Sequence, residues 1–329
     1  MKYTLKKLVY ALVTIYIIIS ISFLLIHLMP GNVIINLVGQ EEYYYLLDNN
    51  PARLNELMEK YGLADGLGKQ YLRYLKSVVT MDFGVAYANH MPVIDNVLRA
   101  CKTTLMLAVP TWIFGALIGC ILGTISGWKP GSAFDKIATP FFLVIQAIPT
   151  NCLGLILLIL FSYKLQLLPI NGMVAPGLEG MAKLMSYLEH IILPLIILIL
   201  SRVSGNYMLM KSSISTVREE EYLITAESKG MTDRGILFGH ALKNALVPYL
   251  TSVIMQLGWI LSGSMIIEVI FGWNGMGKLM YEAVNHRDFP TAQLCFLITA
   301  VSVVMANWLS DVVVAKIDPR IEEATYEQN

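Results

Sequence analysis

Hydrophobic positions in this chain fall in long blocks rather than short periods. Six stretches, 8–29, 103–127, 137–163, 190–210, 245–271 and 291–315, are predominantly apolar. Each reaches about 20 residues, the length an α-helix needs to cross the hydrocarbon of a bilayer. The fourth is the weakest, because its clean run, "IILPLIILIL", is short and continues into "SRVSGNYMLM". Arg202 in that continuation is costly against lipid and is expected to face the protein interior, a partner or the membrane interface. The pattern predicts an all-α polytopic membrane protein with about six transmembrane helices.

Two polar stretches separate the blocks. The first, 31–102, reads as helical. In "NNPARLNELMEKYGL", Asn50 can cap a helix with Pro51 at its first position, and Leu54, Leu57, Met58 and Tyr61 then share a face. "KQYLRYLKSVV" repeats the pattern with Tyr71, Leu72, Leu75 and Val79. The second stretch, 211–245, reads as a helical hairpin. Thr216 followed by Glu219 has capping-box spacing. Glu219, Glu220 and Glu221 suit the positive end of a helix dipole. Lys229 suits the last turn, and Gly230 tolerates the left-handed conformation of a helix stop. Thr232 can cap a second short helix that Pro248 meets near the membrane. Ala226, Ser228 and Gly230 keep one side low, with Tyr222 and Leu223 beside them as anchors. Such a hairpin fits a groove on another protein.

Composition agrees with membrane residence: of 329 residues, 56% are hydrophobic and 15% charged, against about 25% charged in a soluble domain. The net charge is zero, so bulk charge predicts no nucleic-acid partner. Lys2, Lys6 and Lys7 precede the first block. That block is longer than the core of a cleavable signal, about 7–15 residues, and reads as a retained first helix. Lys and Arg concentrate in the flanks on the N-terminal side, at Lys129, Lys136, Lys211, Arg218, Lys229, Arg234, Lys243, Lys316 and Arg320. The positive-inside rule then places both termini and the hairpin in the cytoplasm. The divisions expected are a first membrane helix (1–30), an extracytoplasmic helical segment (31–102), a five-helix membrane core (103–315) and a cytoplasmic tail (316–329).

Catalytic and metal chemistry find little support. Cys101, Cys120, Cys152 and Cys295 are scattered and read as small buried hydrophobes, and five separated histidines (His27, His90, His190, His240, His286) make no constellation. "GWNGMGKL" from Gly272 fits a phosphate loop until Leu279 stands where a hydroxyl must hold Mg²⁺. A transport path calls for embedded polar groups. Gln146 and Asn151 flank Pro149, which bends the third helix. Asn206, Gln256, Ser262 and Ser264 are further candidates, with helix-to-helix hydrogen bonding as the competing role. Glu268 and Asp311 read as interfacial or structural.

The hairpin resembles the cytoplasmic coupling loop of ABC importer permeases, E-A-A-x-x-x-G-x9-I-x-L-P. Ile224, Thr225 and Ala226 stand on its three leading positions, and His240, Leu242 and Lys243 on the I, L and P positions. Only Ala226, Gly230 and Leu242 match the general form. "TAESKG" and "HALKNALVP" keep the pattern of the oligopeptide/dipeptide branch, which reads TA-x-x-KG and HAL-x-NA-x-x-P. "HLMPGN", "FSYKLQLLPINGM", "EVIFGWNGMGKLMYEAVNHRDFPTAQ" and "NWLSDVVVAKIDPRI" resemble that branch in order along nearly the whole chain.

The resemblance implies a non-catalytic permease subunit in a bacterial or archaeal cell membrane. Its implied partners are a second homologous permease, two cytoplasmic ATPases that carry ATP and Mg²⁺, and an external substrate-binding protein; no cofactor is implied on this chain. It implies coupling residues at Glu221, Tyr222, Thr225, Ala226, Lys229, Gly230, His240 and Asn244. Peptide is the implied cargo, with nickel, metal chelates or oligosaccharides as alternatives on the same scaffold. A stand-alone ion-coupled carrier is the competing class, and it needs buried mid-membrane charges as coupling sites.

Overall fold

A computed structural model describes residues 2–28, 32–261 and 264–317. Ser262, residues 29–31 of "HLMPGN" and the tail from 318 onward lie outside the described residues. Among those described there is no strand, only an isolated bridge between Val85 and Pro92.

Along the chain, α1 (Lys2–Leu28) is followed by α2 (Val33–Val38), α3 (Gln40–Asn49), α4 (Pro51–Lys60), α5 (Leu67–Thr80) and α6 (Val93–Trp128). Next come α7 (Ala133–Ala147), α8 (Thr150–Leu157), α9 (Gly180–Arg218), α10 (Glu221–Ser228), α11 (Asp233–Ile236) and α12 (Leu242–Met255). The last are α13 (Met265–Ile270), α14 (Met276–Asn285) and α15 (Phe289–Ile317).

Four helices, α1, α6, α9 and α15, contain windows long and apolar enough to cross a membrane. A fifth crossing is reached if α7 and α8, with the π-helical stretch Leu158–Lys164, count as one span. The two arms meet at 101°, with Ile148 and Pro149 at the corner, as the proline predicts. The block 245–271 does not form the single helix expected of it. It divides into α12, a 3-10 turn at Gln256–Trp259, and α13. That turn lies against α15, where a Cβ on Gly258 would stand 2.9 Å from the Cα of Val303.

The block expected to be weakest is the longest helix: α9 has 39 residues. Two polar positions in its middle turn into the protein. Ser204 and Asn206 are buried. They sit in the principal helix pair of the fold, α6 against α9. Gly115, Gly119, Gly123 and Gly127, every fourth residue of α6, face Arg202, Asn206, Met210 and Ile214 of α9. Small residues at this spacing let two backbones approach closely in a membrane.

The ends of the bundle differ in character. At one, the first polar stretch packs on α1, α6 and α15. Asn50 caps α4 as expected, its Oδ1 accepting from the Arg53 amide at 3.2 Å. Leu54 joins Ile34 and Leu46 in a small core. On α5 the expected face is rotated: Tyr74 is buried and Leu75 and Val78 pack beside it, while Leu72 and Val79 are 66% and 84% exposed. The cause is α1, since Tyr71 shares a 2.6 Å hydrogen bond with Ser20, and both tyrosines pack on the Phe23 ring. Tyr87 donates to the Tyr61 carbonyl at 3.3 Å; burial, and then the Asp288 carboxylate, push its phenol far above its usual range.

His27, at the end of α1, packs with its ring tilted 4.8 Å from that of Phe289, at the start of α15, so these helices run antiparallel. Lys2 and Ile317 therefore lie toward the other end of the bundle, where α6 ends at Trp128 and the hairpin sits. Helical backbone crosses the expected divisions at 102/103, inside α6, and at 211, inside α9.

Candidate functional site

The hairpin begins where α9 stops. Thr216 does not cap a new helix as its spacing with Glu219 suggested. It lies in the last turn of α9, its carbonyl accepting from the Glu219 amide at 3.2 Å. α10 starts at Glu221 with no side-chain cap, so only one of the three glutamates stands in its first turn. Gly230 adopts φ +76°. Its amide donates to the Glu227 carbonyl at 2.9 Å, and the Met231 amide to Ala226 at 3.3 Å. This reciprocal pair is the Schellman stop that the glycine predicted. Thr232 Oγ1 then accepts from the Gly235 amide at 3.2 Å, capping α11. α11 is not a separate short helix. It runs through a π-helical stretch, Leu237–Ala241, into α12, so Pro248 lies inside the continuing helix.

Two residues expected on the partner-facing side turn inward. Leu223 and Ala226 are buried in a core with Trp128 of α6, Met210 and Ile214 of α9, and Ala245 and Tyr249 of α12. Trp128 Nε1 donates to Asp233 Oδ1 at 3.0 Å, and the Arg218 guanidinium lies 6.0 Å from the Trp128 ring. Asn244 Nδ2 donates to Tyr222 Oη at 2.5 Å, tying α10 to α12. Glu221, Tyr222, Thr225, Lys229, Gly230 and His240 are exposed. So are Ile224 and Phe238, at 58% and 61%. Sequence reading placed Ile224 on a leading motif position without counting it among the coupling residues and passed over Phe238, although both are apolar side chains beside a charged turn.

The path candidates divide. Asn206 and Gln256 come together: Gln256 Nε2 donates to Asn206 Oδ1 at 2.9 Å, between α9 and the 3-10 turn that follows α12. They line a cavity of about 400 Å³ with Ser201, Arg202, Gly205 and Ser252. Gln146, Pro149 and Asn151 do not line it. They stand at the α7–α8 corner, Gln146 exposed and Asn151 half-buried; the corner is held on α9 by Ile145 and Ile148, which join the core around Ile197 and Leu198, and by a 2.9 Å hydrogen bond between Thr150 and Ser201. Ser201, Arg202, Gly205 and Asn206 recur at helical spacing, as do Ser252 and Gln256, which is the signal that could have grouped them.

The loop that imitates a phosphate site has another use. Glu268, fully buried, accepts from Thr104 Oγ1 and Ser264 Oγ at 2.7 Å each and from the Lys278 amide at 3.0 Å. Thr104 Oγ1 in turn accepts from the Met276 amide at 2.7 Å. The glycine-rich turn is folded around a carboxylate of its own chain, which gives Glu268 a structural role. Cys295 is buried, but Cys152 is exposed, against the expectation that all four cysteines fill cores.

Residues 115–323 match the family described as "Binding-protein-dependent transport system inner membrane component". The chain is 31% identical to a dipeptide transport system permease protein of Alkalihalophilus pseudofirmus, covering 92% of this chain and 93% of that one. It is 32% identical to an oligopeptide transport system permease protein of Bacillus subtilis, over 82% of this chain and 85% of the relative. A dipeptide transport system permease protein of Escherichia coli K12 is 28% identical over 92% of this chain and 93% of its own length.

Proposed function

We infer, for a chain that belongs to the family of inner membrane components of binding-protein-dependent transport systems, that it forms half of the translocation path of a dipeptide or oligopeptide importer. Membership makes it a multi-pass permease that works with other ABC transporter components. In the proposed assembly a second permease completes the path, and two ATPases dock on the hairpin and bind ATP and Mg²⁺. An external binding protein delivers peptide to the end that carries the first polar stretch. Both termini and the hairpin then lie in the cytoplasm of a bacterial or archaeal cell.

The observation that carries this reading is the seating of the hairpin. Leu223 and Ala226 are packed among α6, α9 and α12, and α9 and α12 also supply the polar cavity around Asn206 and Gln256. A push on α10 therefore moves the helices that line the cavity. ATP shifts such an equilibrium only if the ATPases hold the hairpin differently in their two states. Glu221, Tyr222, Thr225, Lys229, Gly230 and His240 are the exposed groups an ATPase would meet, while Ala226 and Asn244 fix the hairpin to the permease.

The test is to purify the chain from its native membrane in mild detergent, identify what accompanies it, and measure dipeptide uptake after reconstitution. Co-purification of two ATPase chains and a second permease, with ATP-dependent uptake of dipeptide, supports the reading. Uptake of nickel, a metal chelate or an oligosaccharide but not of dipeptides overturns the cargo. A solitary chain that transports without ATPases overturns the coupling.

A further inference from the structure

Between Lys183 near its start and Arg218 at its end, α9 carries two cations mid-length, Arg202 and Lys211, and the fold treats them differently. Lys211 is paired: its Nζ lies 2.5 Å from Asp135 Oδ1 and 2.7 Å from Thr139 Oγ1. Arg202 is not. Among the described residues no carboxylate lies within 4 Å of its guanidinium and no hydrogen bond engages it. Its stem crosses the close contact with α6, where a Cβ on Gly115 would stand 2.5 Å from Arg202 Cγ. It borders the same cavity as Asn206 and Gln256. A cation kept in an apolar, membrane-spanning helix with no partner marks function rather than packing.

Two further groups beside it are unmatched. Gln256 Nε2 is used on Asn206 Oδ1, which leaves Asn206 Nδ2 and Gln256 Oε1 buried with no partner. Buried polar atoms left unpaired in a native fold call for an explanation. The cavity thus presents one fixed positive charge, Arg202, beside an Asn206–Gln256 amide pair whose remaining donor and acceptor are closed off behind its wall. Beside them Gly205 keeps the wall low: nothing lies within 4 Å of where its Cβ would be.

We propose that this cavity is a station for the C-terminal end of a peptide in transit, with Arg202 binding the peptide's carboxylate. The last residue of a peptide presents a carboxylate and an amide N–H, and the residue before it a carbonyl. Arg202 matches the first; Gln256 Oε1 and Asn206 Nδ2, closed off in this structure, match the second and third once the Asn206–Gln256 pair opens to the peptide. Guanidinium suits carboxylate because its planar donors pair with both oxygens. No side chain of the cargo is read, so the station accepts varied sequences. The proposal rests on the peptide-permease reading and gives that path a polarity: it discriminates a free C-terminus from a blocked one.

The experiment uses the complete transporter in proteoliposomes with saturating binding protein. Uptake of dialanine is compared with uptake of dialanine amide, for the native chain and for Arg202→Gln, Arg202→Lys and Gly205→Leu. Taking the acid-to-amide ratio in each variant cancels any preference of the binding protein. The expected result is a ratio that falls about tenfold in R202Q, the size of losing one charge-assisted hydrogen bond. R202K is expected to recover part of that loss, and G205L to slow both peptides by filling the cavity. Equal loss of acid and amide uptake in R202Q, or no change in either, overturns the proposal while leaving the peptide permease intact. Failure of R202Q, but not R202K, to co-purify with the second permease also overturns it, because Arg202 then serves a partner's acid. If the native transporter takes up neither peptide, the permease reading and the proposal fall together.

Discussion

Asn206 of α9 rides directly over Gly119 of α6: a Cβ built on the glycine would stand 2.5 Å from the Cβ of Asn206 and 3.1 Å from the amide nitrogen of Tyr207. Backbone sits behind both contacts, so the neighbour cannot swing aside, and any side chain forces the helices apart. Gly119→Ala is expected to lower stability by about 1–3 kcal/mol, the usual range for overpacking. Gly239, with nothing within 4 Å of a Cβ, is the control. Thermal unfolding in detergent should show a lower midpoint for G119A and none for G239A. Equal midpoints would mean that α6 and α9 separate without cost.

The left-handed backbone at Gly230 (φ +76°) gives a second prediction. Nothing within 4 Å opposes a side chain there, so a substitution is penalised by conformation alone, at roughly 1–2 kcal/mol for an L-residue. Gly230→Val should insert in the membrane at normal levels and leave ATP hydrolysis running, but reduce uptake. Gly230→Asn, which tolerates the conformation, should restore most of it. Normal uptake in G230V would falsify the role of this turn in coupling.

Leu223 and Ile224 are neighbours in sequence with opposite expected phenotypes. Leu223 is 4% exposed in the core beneath the hairpin, and Ile224 is 58% exposed. Leu223→Ala should cost about 2–5 kcal/mol as a cavity in that core, seen as faster proteolysis across 219–241. Ile224→Ala should leave proteolysis unchanged and weaken capture of the ATPases. If the two variants behave alike, the hairpin does not have one seated face and one presented face.

Glu268 closes the turn between α13 and α14 through three donors. Glu268→Leu leaves the Thr104 and Ser264 hydroxyls and the Lys278 amide unpaired, at about 1–3 kcal/mol each, and should prevent accumulation of the chain. Thr104→Val is the milder probe. It removes one donor to Glu268 and the acceptor of the Met276 amide, and should open the 271–278 turn to protease while the chain still inserts. An unchanged digestion pattern would remove the carboxylate's role as the organiser of that turn.

The sequence by itself determined the class of the molecule. Blocks of lipid-compatible residues, the Gly230 stop, the Thr232 and Asn50 caps and the Pro149 corner were all legible, because each depends on residues within a turn or two of one another. The branch pattern "TAESKG" and "HALKNALVP" pointed to the family for the same local reason. Only the tertiary structure decided which faces those elements turn to each other. That Ser204 and Asn206 of α9 are sheltered against the glycine face of α6 is a matter of pairing between segments about 90 residues apart. The inward turn of Leu223 and Ala226, the rotated face of α5 and the division of 245–271 follow from contacts with Trp128, Phe23 and Val303, none of them adjacent in sequence. Arg202, Asn206 and Gln256 share a cavity for that reason too. Polar groups in a membrane find their partners across helices, and a linear pattern records the need for a partner without naming it.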